Sequence, residues 1–346
     1  MTDVIVISVD DLTYWAGPNS IFSGQIHAPN IQRLAAEGIS FSNAYTPEAI
    51  CNPARTSFFT GLTPNQTGIH SNDQVWYETI EAGTTLPAQF LAAGYDVGGY
   101  GKLMHSIALP SDVADDMFSD YVGKTGFDGG GVIGPLPPEV GEEQLADHVT
   151  IDNAIGFLRD HTGSDPFMLN VGLVKPHLNW TVPQEYFDLY PLDEIEVPGL
   201  VGDDMTNVPA FIRDQLVDSR GHPVPNSVEQ AKVFLQGYFA SLSYADAQIG
   251  RLFDELDATG RWDSTTIVLW SDHGYHLGDR GNLWGKFTLW EEATKVPLIF
   301  KLPDGAQGGR VVDDVVNLVD VYPTLTDLAG IDTPDGLSGD SLKSFV

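Results

Sequence analysis

Apolar positions along this chain follow two rhythms in turn. Asp3–Val9 reads DVIVISV, a short β-branched run that stops at Asp10-Asp11, the pattern of a strand buried on both faces and running into a polar loop. Pro29–Glu37 has helical spacing and is closed by Gly38, and residues 39–44 return to a strand pattern. Residues 86–93 predict a helix capped by Thr84 or Thr85 and ended by Gly94, followed by a strand over 95–100. Further on come a helix over 142–160, a strand over 166–171, a long helix over 228–256 stopping at Gly260, strands over 265–270 and 296–300, and a helix over 320–329. This alternation predicts an α/β fold, a mostly parallel central sheet with helices on both faces, whose ligands lie beyond the carboxyl ends of the strands.

Two stretches break the rhythm. Residues 106–141 are rich in Gly, Pro and Asp without periodicity and read as a long surface loop over a site. Residues 183–226 read as an irregular, Pro-rich insertion with short helical pieces on the substrate side. With 346 residues, 42% of them hydrophobic, the chain can bury a substantial core, and residues 1–346 are expected to form one large domain.

Charge narrows the partners. Seventeen basic against 48 acidic residues give a net charge of -31, and no basic cluster exists to neutralise phosphates, so nucleic acid is not expected as a partner. No apolar run reaches membrane-spanning length, and the start of the chain has neither a basic segment nor a cleavage site; the expected location is cytoplasmic unless an export signal has been removed. A single cysteine, Cys51, forbids an internal disulfide.

The candidate chemistry sits at strand ends. Asp10 and Asp11 follow the first strand, and Asp272 and His273 follow the strand over 265–270. An Asp pair after a strand is more often a turn or helix cap, but two such pairs at one sheet edge would bring three carboxylates and an imidazole together, as a calcium, magnesium or manganese site requires. A lone buried cysteine is ordinarily an inert small hydrophobe. Here Pro53 fits the first turn of a helix, which sets Cys51 at its positive end, and Arg55 can reach back toward an anion bound there. Of only eight lysines, Lys102, Lys175 and Lys286 fall beside these motifs, whereas surface lysines would scatter. His70, His276, Trp76, Trp180 and Trp284 also lie near motifs in sequence, a position that satisfied core or rim residues occupy more often than pocket residues do.

Cys51-x-Pro53-x-Arg55 followed by Thr60-Gly61 resembles the signature of type I sulfatases, members of the alkaline phosphatase superfamily. Asp10-Asp11, Gly101-Lys102-x-x-His105, Lys175-Pro176-His177, Ser271-Asp272-His273-Gly274 and Gly285-Lys286 have counterparts in the same order. Within the family the chain is most similar to the iduronate-2-sulfatase group, through the Lys102 to His105 spacing, the Lys175 to His177 triplet and His273. The resemblance implies that a separate maturing enzyme oxidises Cys51 to formylglycine, whose hydrate is the nucleophile. It implies calcium, or magnesium, held by Asp10, Asp11, Asp272, His273 and the modified Cys51, with Asp272 as a base. Arg55, Lys102 and Lys286 would neutralise the sulfate oxygens, with Lys175 and His177 among the substrate-binding groups. His177 or Lys286 would protonate the departing alcohol, and His105 would take the proton that releases sulfate.

The expected activity is therefore hydrolysis of an organic sulfate ester, a sulfated small molecule or carbohydrate, with self-association of the chain as a further expectation. Phosphonate monoester or phosphodiester hydrolysis on the same scaffold, and non-catalytic binding of sulfated ligands, stand as alternatives. Two departures from the family matter. Ala54 and Leu62 replace a commoner Ser and Arg, and the chain stops just after Gly339-Asp340-Ser341-Leu342, where relatives continue into a small C-terminal subdomain, so that subdomain is expected to be shortened or missing.

Overall fold

A computed structural model describes residues 2–17, 24–105, 108–130, 133–198, 205, 208–210, 224–305 and 308–346. Eight strands form the main sheet: β1 Asp3–Val9, β2 Ile39–Tyr45, β3 Asp96–Gly101, β4 Asp120–Gly123, β5 Phe167–Leu173, β6 Thr265–Ser271, β7 Leu298–Lys301 and β8 Arg310–Asn317. Their order is β8-β2-β7-β6-β1-β5-β3-β4. All neighbouring pairs are parallel except those of β7, which runs against both β2 and β6. The mostly parallel α/β sheet is thus the one expected, with one reversed strand.

Central β1 explains its own sequence. It pairs with β5 on one side and β6 on the other, and its alternate residues feed two separate cores. Ile5, Ile7 and Val9 pack with Leu169, Val171, Leu269 and the helices α1 Pro29–Glu37, α4 Ala146–Asp160 and α5 Val228–Ala258. Val4 and Val6 pack on the other face with Met168, Trp270 and the helices α2 Cys51–Thr60, α3 Leu86–Ala92 and α6 Val321–Ala329. A strand covered on both faces has no solvent side to alternate toward, hence the continuous apolar run. Ser227 caps the 31-residue α5, its hydroxyl accepting from the Gln230 N–H at 3.1 Å.

Two expectations need correction. The stretch 106–141 is not one structureless loop: it contains a short helix, Ser111–Asp115, and β4, which extends the main sheet beside β3. Leu109, Ala114, Met117 and Phe118 anchor it in the core, four apolar residues at no regular helix or strand spacing. Strand β8 was not expected, because a bulge between Val312 and Val315 and the pair Asp313-Asp314 break the two-residue alternation on this exposed edge. Of the insertion at 183–226, Gln184–Asp188 is helical, and residues 199–204, 206–207 and 211–223 lie outside the described residues. Among the described residues no helix is long and apolar enough to cross a membrane.

Candidate active site and metal centre

Neighbouring strands bring the motifs to one edge. Val9 is in register with Ser271, so Asp10-Asp11 and Asp272-His273 leave the sheet side by side. Lys102 follows β3, and α2 begins at Cys51 shortly after β2. Pro53 occupies the first turn of α2, where its missing N–H costs nothing, and Gly61 ends the helix at φ 67°.

The first turn after β1 is tightly specified. Asp11 adopts a left-handed backbone at φ 61°, uncommon for a residue other than glycine. Its N–H donates to Asp272 Oδ1 at 3.2 Å, and its carbonyl accepts from the buried Tyr238 hydroxyl at 2.7 Å. The Thr13 N–H donates to the same Tyr238 oxygen at 2.8 Å, and the Leu12 N–H donates to Ser271 Oγ at 2.9 Å. Sequence reasoning missed Tyr238: it lies mid-helix on α5, more than two hundred residues from the turn it holds, and carries no local signal.

Charged side chains converge around Cys51. Its Sγ lies 3.2 Å from His273 Nε2 and accepts from Lys286 Nζ at 3.0 Å, while the same ammonium donates to Asp11 Oδ1 at 2.7 Å. Lys102 Nζ pairs with Asp10 Oδ2. Arg55 Nε donates to Asp272 Oδ2 at 2.9 Å, and its Nη1 to the carbonyls of Lys102 at 2.6 Å and Leu103 at 2.9 Å, with Nη2 3.7 Å from Asp10. Arg55 is fully buried, so it is a fixed brace between the ends of β1, β3 and β6.

Charge sets the protonation states. Burial pushes the Asp10 carboxyl up, but Lys102, His177, Arg55 and Lys286 outweigh it and hold it well below the carboxylate range. Asp11 is likewise pushed up by burial and pulled down to about 2, chiefly by Lys286. For Asp272, burial wins over Arg55 and raises the carboxyl to about 6. Burial opposes the charged form of His273, yet Asp272 raises it to about 9, and burial opposes the Cys51 thiolate, yet Lys286 draws the thiol well below its usual range.

The residues fit a divalent cation. Asp10, Asp11, Cys51 and His273 each offer an atom within 4.8 Å of the others. Asp10 Oδ1 and Asp11 Oδ2 are buried with no hydrogen-bond partner among the described residues, an arrangement that a bound cation would satisfy. Asp272 stands beside this group of four, its two oxygens taken by Arg55 and by the backbone N–H groups of Asp11 and His273.

The remaining expected residues divide. His177 is close enough for its charge to act on Asp10 and Asp11, and burial together with Lys102 lowers it, favouring the neutral ring. Its Nδ1 lies 2.7 Å from the Leu178 carbonyl. His105 follows Lys102 by three residues, and its Nδ1 is buried without a partner among the described residues. Lys175 is buried elsewhere: its ammonium donates to the Asp128 carbonyl at 3.1 Å and to the Asn179 carbonyl, so it holds two loops rather than reaching the cluster. Trp76 and Trp180 are fully buried core.

A sulfatase from Formosa agariphila is 35% identical, aligned over 95% of this chain and 69% of its own length. Human iduronate 2-sulfatase is 33% identical, over 96% of this chain and 70% of its own. A phosphonate monoester hydrolase from Silicibacter pomeroyi superposes with a TM-score of 0.82 over all of this chain and 76% of that one, and at 21% identity it shows the fold alone. The family model described as Sulfatase matches residues 2–331, from the first strand past the last helix. The chain thus belongs to the sulfatase family and is a sulfuric ester hydrolase.

Proposed function

We propose that the protein hydrolyses a sulfate ester of a carbohydrate, with calcium at Asp10, Asp11, His273 and residue 51, after a separate enzyme has converted Cys51 to formylglycine. The observation that carries this reading is the surrounding of Cys51: it opens α2, touches Lys286 and His273, and stands beside two buried carboxylate oxygens without hydrogen-bond partners among the described residues. The hard carboxylates favour calcium, and an oxygen at residue 51 would suit such an ion better than the thiol sulfur. The human relative's name specifies iduronate, a sugar acid, which supports the carbohydrate.

Formylglycine would supply a hydrate oxygen as nucleophile, and the cation a fixed positive charge beside it. The chain's own groups do the rest. Lys102 and Lys286 place two ammonium groups where charge gathers on the sulfate oxygens, and burial makes each count for more than in water. Asp11 and Cys51 hold Lys286 well above the usual lysine range against the pull of burial, whereas His177 is lowered. Lys286 therefore stays cationic beside residue 51, and His177 or Lys286 would protonate the departing alcohol. Arg55 binds no substrate in this scheme; it keeps Asp272 and the end of β3 in place.

The test is made on protein co-produced with a formylglycine-generating enzyme. The peptide containing residue 51 is expected to lose thiol mass to the aldehyde, and Cys51→Ala to cut turnover of sulfate esters by at least ~10⁴-fold. A free thiol in fully active protein would overturn the nucleophile. Faster turnover of phosphonate or phosphate esters than of sulfate esters would instead favour the chemistry of the Silicibacter pomeroyi enzyme.

A further inference from the structure

Lys286 carries the chemistry proposed above, and its backbone is in an improbable place. It stands between two left-handed residues, Gly285 at φ 96° and Phe287 at φ 71°, the second uncommon for a bulky side chain. Something must hold this segment, because a shift of about 1 Å at a reacting group can cost roughly a hundredfold in rate.

His276 grips the segment on both sides of Lys286. Its backbone pairs with Gly285 in a two-stranded ladder, His276–Leu277 against Trp284–Gly285. Its Nε2 lies 2.7 Å from the hydroxyl of Thr288, two residues beyond Lys286. Behind the ring, Nδ1 is 2.6 Å from Asp279 Oδ1, while Asp279 Oδ2 accepts from the Leu277 N–H at 3.0 Å. The Asp279 carboxylate can only accept, so Nδ1 bears a proton, and in the neutral ring Nε2 accepts the Thr288 hydroxyl. The hold ends at Lys286 Nζ, 2.7 Å from Asp11 and 3.0 Å from Cys51.

We propose that His276, oriented by Asp279 and acting through Thr288, is a positioning residue that aims the Lys286 ammonium at residue 51 and the sulfate group. This rests on the role given to Lys286 in the proposed sulfate chemistry. His276, Asp279 and Glu292 also lie close enough to suggest a second metal site, but both ring nitrogens are occupied and Glu292 pairs with Arg280 at 3.1 and 3.2 Å, so the group works as a brace.

Thr288→Val removes the hydroxyl at nearly constant volume, and Thr288→Ser keeps it. In the mature, calcium-loaded enzyme, Thr288→Val is expected to lower kcat about tenfold to a hundredfold and to weaken binding of inorganic sulfate, measured by calorimetry, about fivefold to tenfold. Thr288→Ser is expected to restore both to within about threefold of wild type. In a Lys286→Ala background, Thr288→Val is expected to cause no further loss, since the effect runs through the ammonium. Wild-type kcat and sulfate affinity in Thr288→Val, or an equal loss in the Lys286→Ala background, would overturn the proposal. Should Thr288→Val not fold, Asp279→Asn is put through the same two measurements. A wild-type enzyme that hydrolyses no sulfate ester refutes the sulfate chemistry, and calorimetry with inorganic sulfate still decides the positioning role.

Discussion

Two buried clusters, one of Asp10, Asp11, Cys51 and His273, the other of His276, Asp279 and Glu292, offer metal-type donors at comparable spacing. They differ in what is left over. In the second, both His276 nitrogens, both Asp279 oxygens and both Glu292 oxygens have hydrogen-bond partners. In the first, one oxygen of each aspartate has none, although Arg55, Lys102 and Lys286 stand beside them. Proximity of acids and histidines therefore does not mark a site. Unsatisfied, deeply buried carboxylate oxygens do, because folding bears their desolvation cost and a bound cation can recover it; among the described residues only Asp10 and Asp11 have them.

Chelation should separate the two clusters most sharply. Removing divalent metal is expected to cut turnover at least ~10³-fold and lower the melting temperature, and calcium at a hundred times its Kd should return about 2.7 kcal/mol of stability. Asp11→Asn is expected to abolish that thermal response while Asp279→Asn keeps it; the reverse result would exchange the roles of the clusters. Next in size, Asp279→Ala leaves the His276 Nδ1–H and the Leu277 N–H without acceptors and should cost about 3–4 kcal/mol in urea unfolding, whether or not metal is present. A metal-dependent loss would mean that the second cluster holds an ion after all.

The smallest effect uses a third buried acid. Asp246 accepts from the Asn30 and Ile31 N–H groups at the start of α1 and from the Asn30 amide, but has no cation among its partners, and burial raises it to about 6. Asp10, buried as deeply, moves the other way because of its cations. A raised carboxyl contributes stability that is full below the unfolded value of 3.8 and is lost as pH rises through about 6. Stability of wild type relative to Asp246→Asn is therefore expected to fall by on the order of 2–3 kcal/mol between about pH 4 and pH 7. A flat difference across that range, measured by urea unfolding, would show that Asp246 is not held in its neutral form.

Much of this was legible in the chain. Asp10, Asp11, Asp272, His273, Cys51, Arg55, Lys102 and Lys286 do meet at one sheet edge: the aspartates, His273 and Lys102 follow strand ends that the apolar rhythm marks, whereas Cys51, Arg55 and Lys286 were legible through their motifs. Lys175 was legible as a motif member, but its spacing did not tell that its ammonium turns to Asp128 and Asn179. Strand β8 and the structured part of 106–141 were not legible, because an exposed, bulged edge and a few irregularly spaced anchors carry no period.

The sequence by itself determined the layer order, the sheet edge that carries the chemistry and the residue types brought there, since local periodicity and strand-end position are written in consecutive residues. Only the tertiary structure decided which of those groups are satisfied. That Tyr238 holds the left-handed Asp11, that Arg55 is spent on Asp272, and that His276 grips the segment around Lys286 depend on partners from distant or differently folded segments. Hydrogen bonding is decided by distances of a few tenths of an ångström between side chains, which residue spacing along a chain does not set.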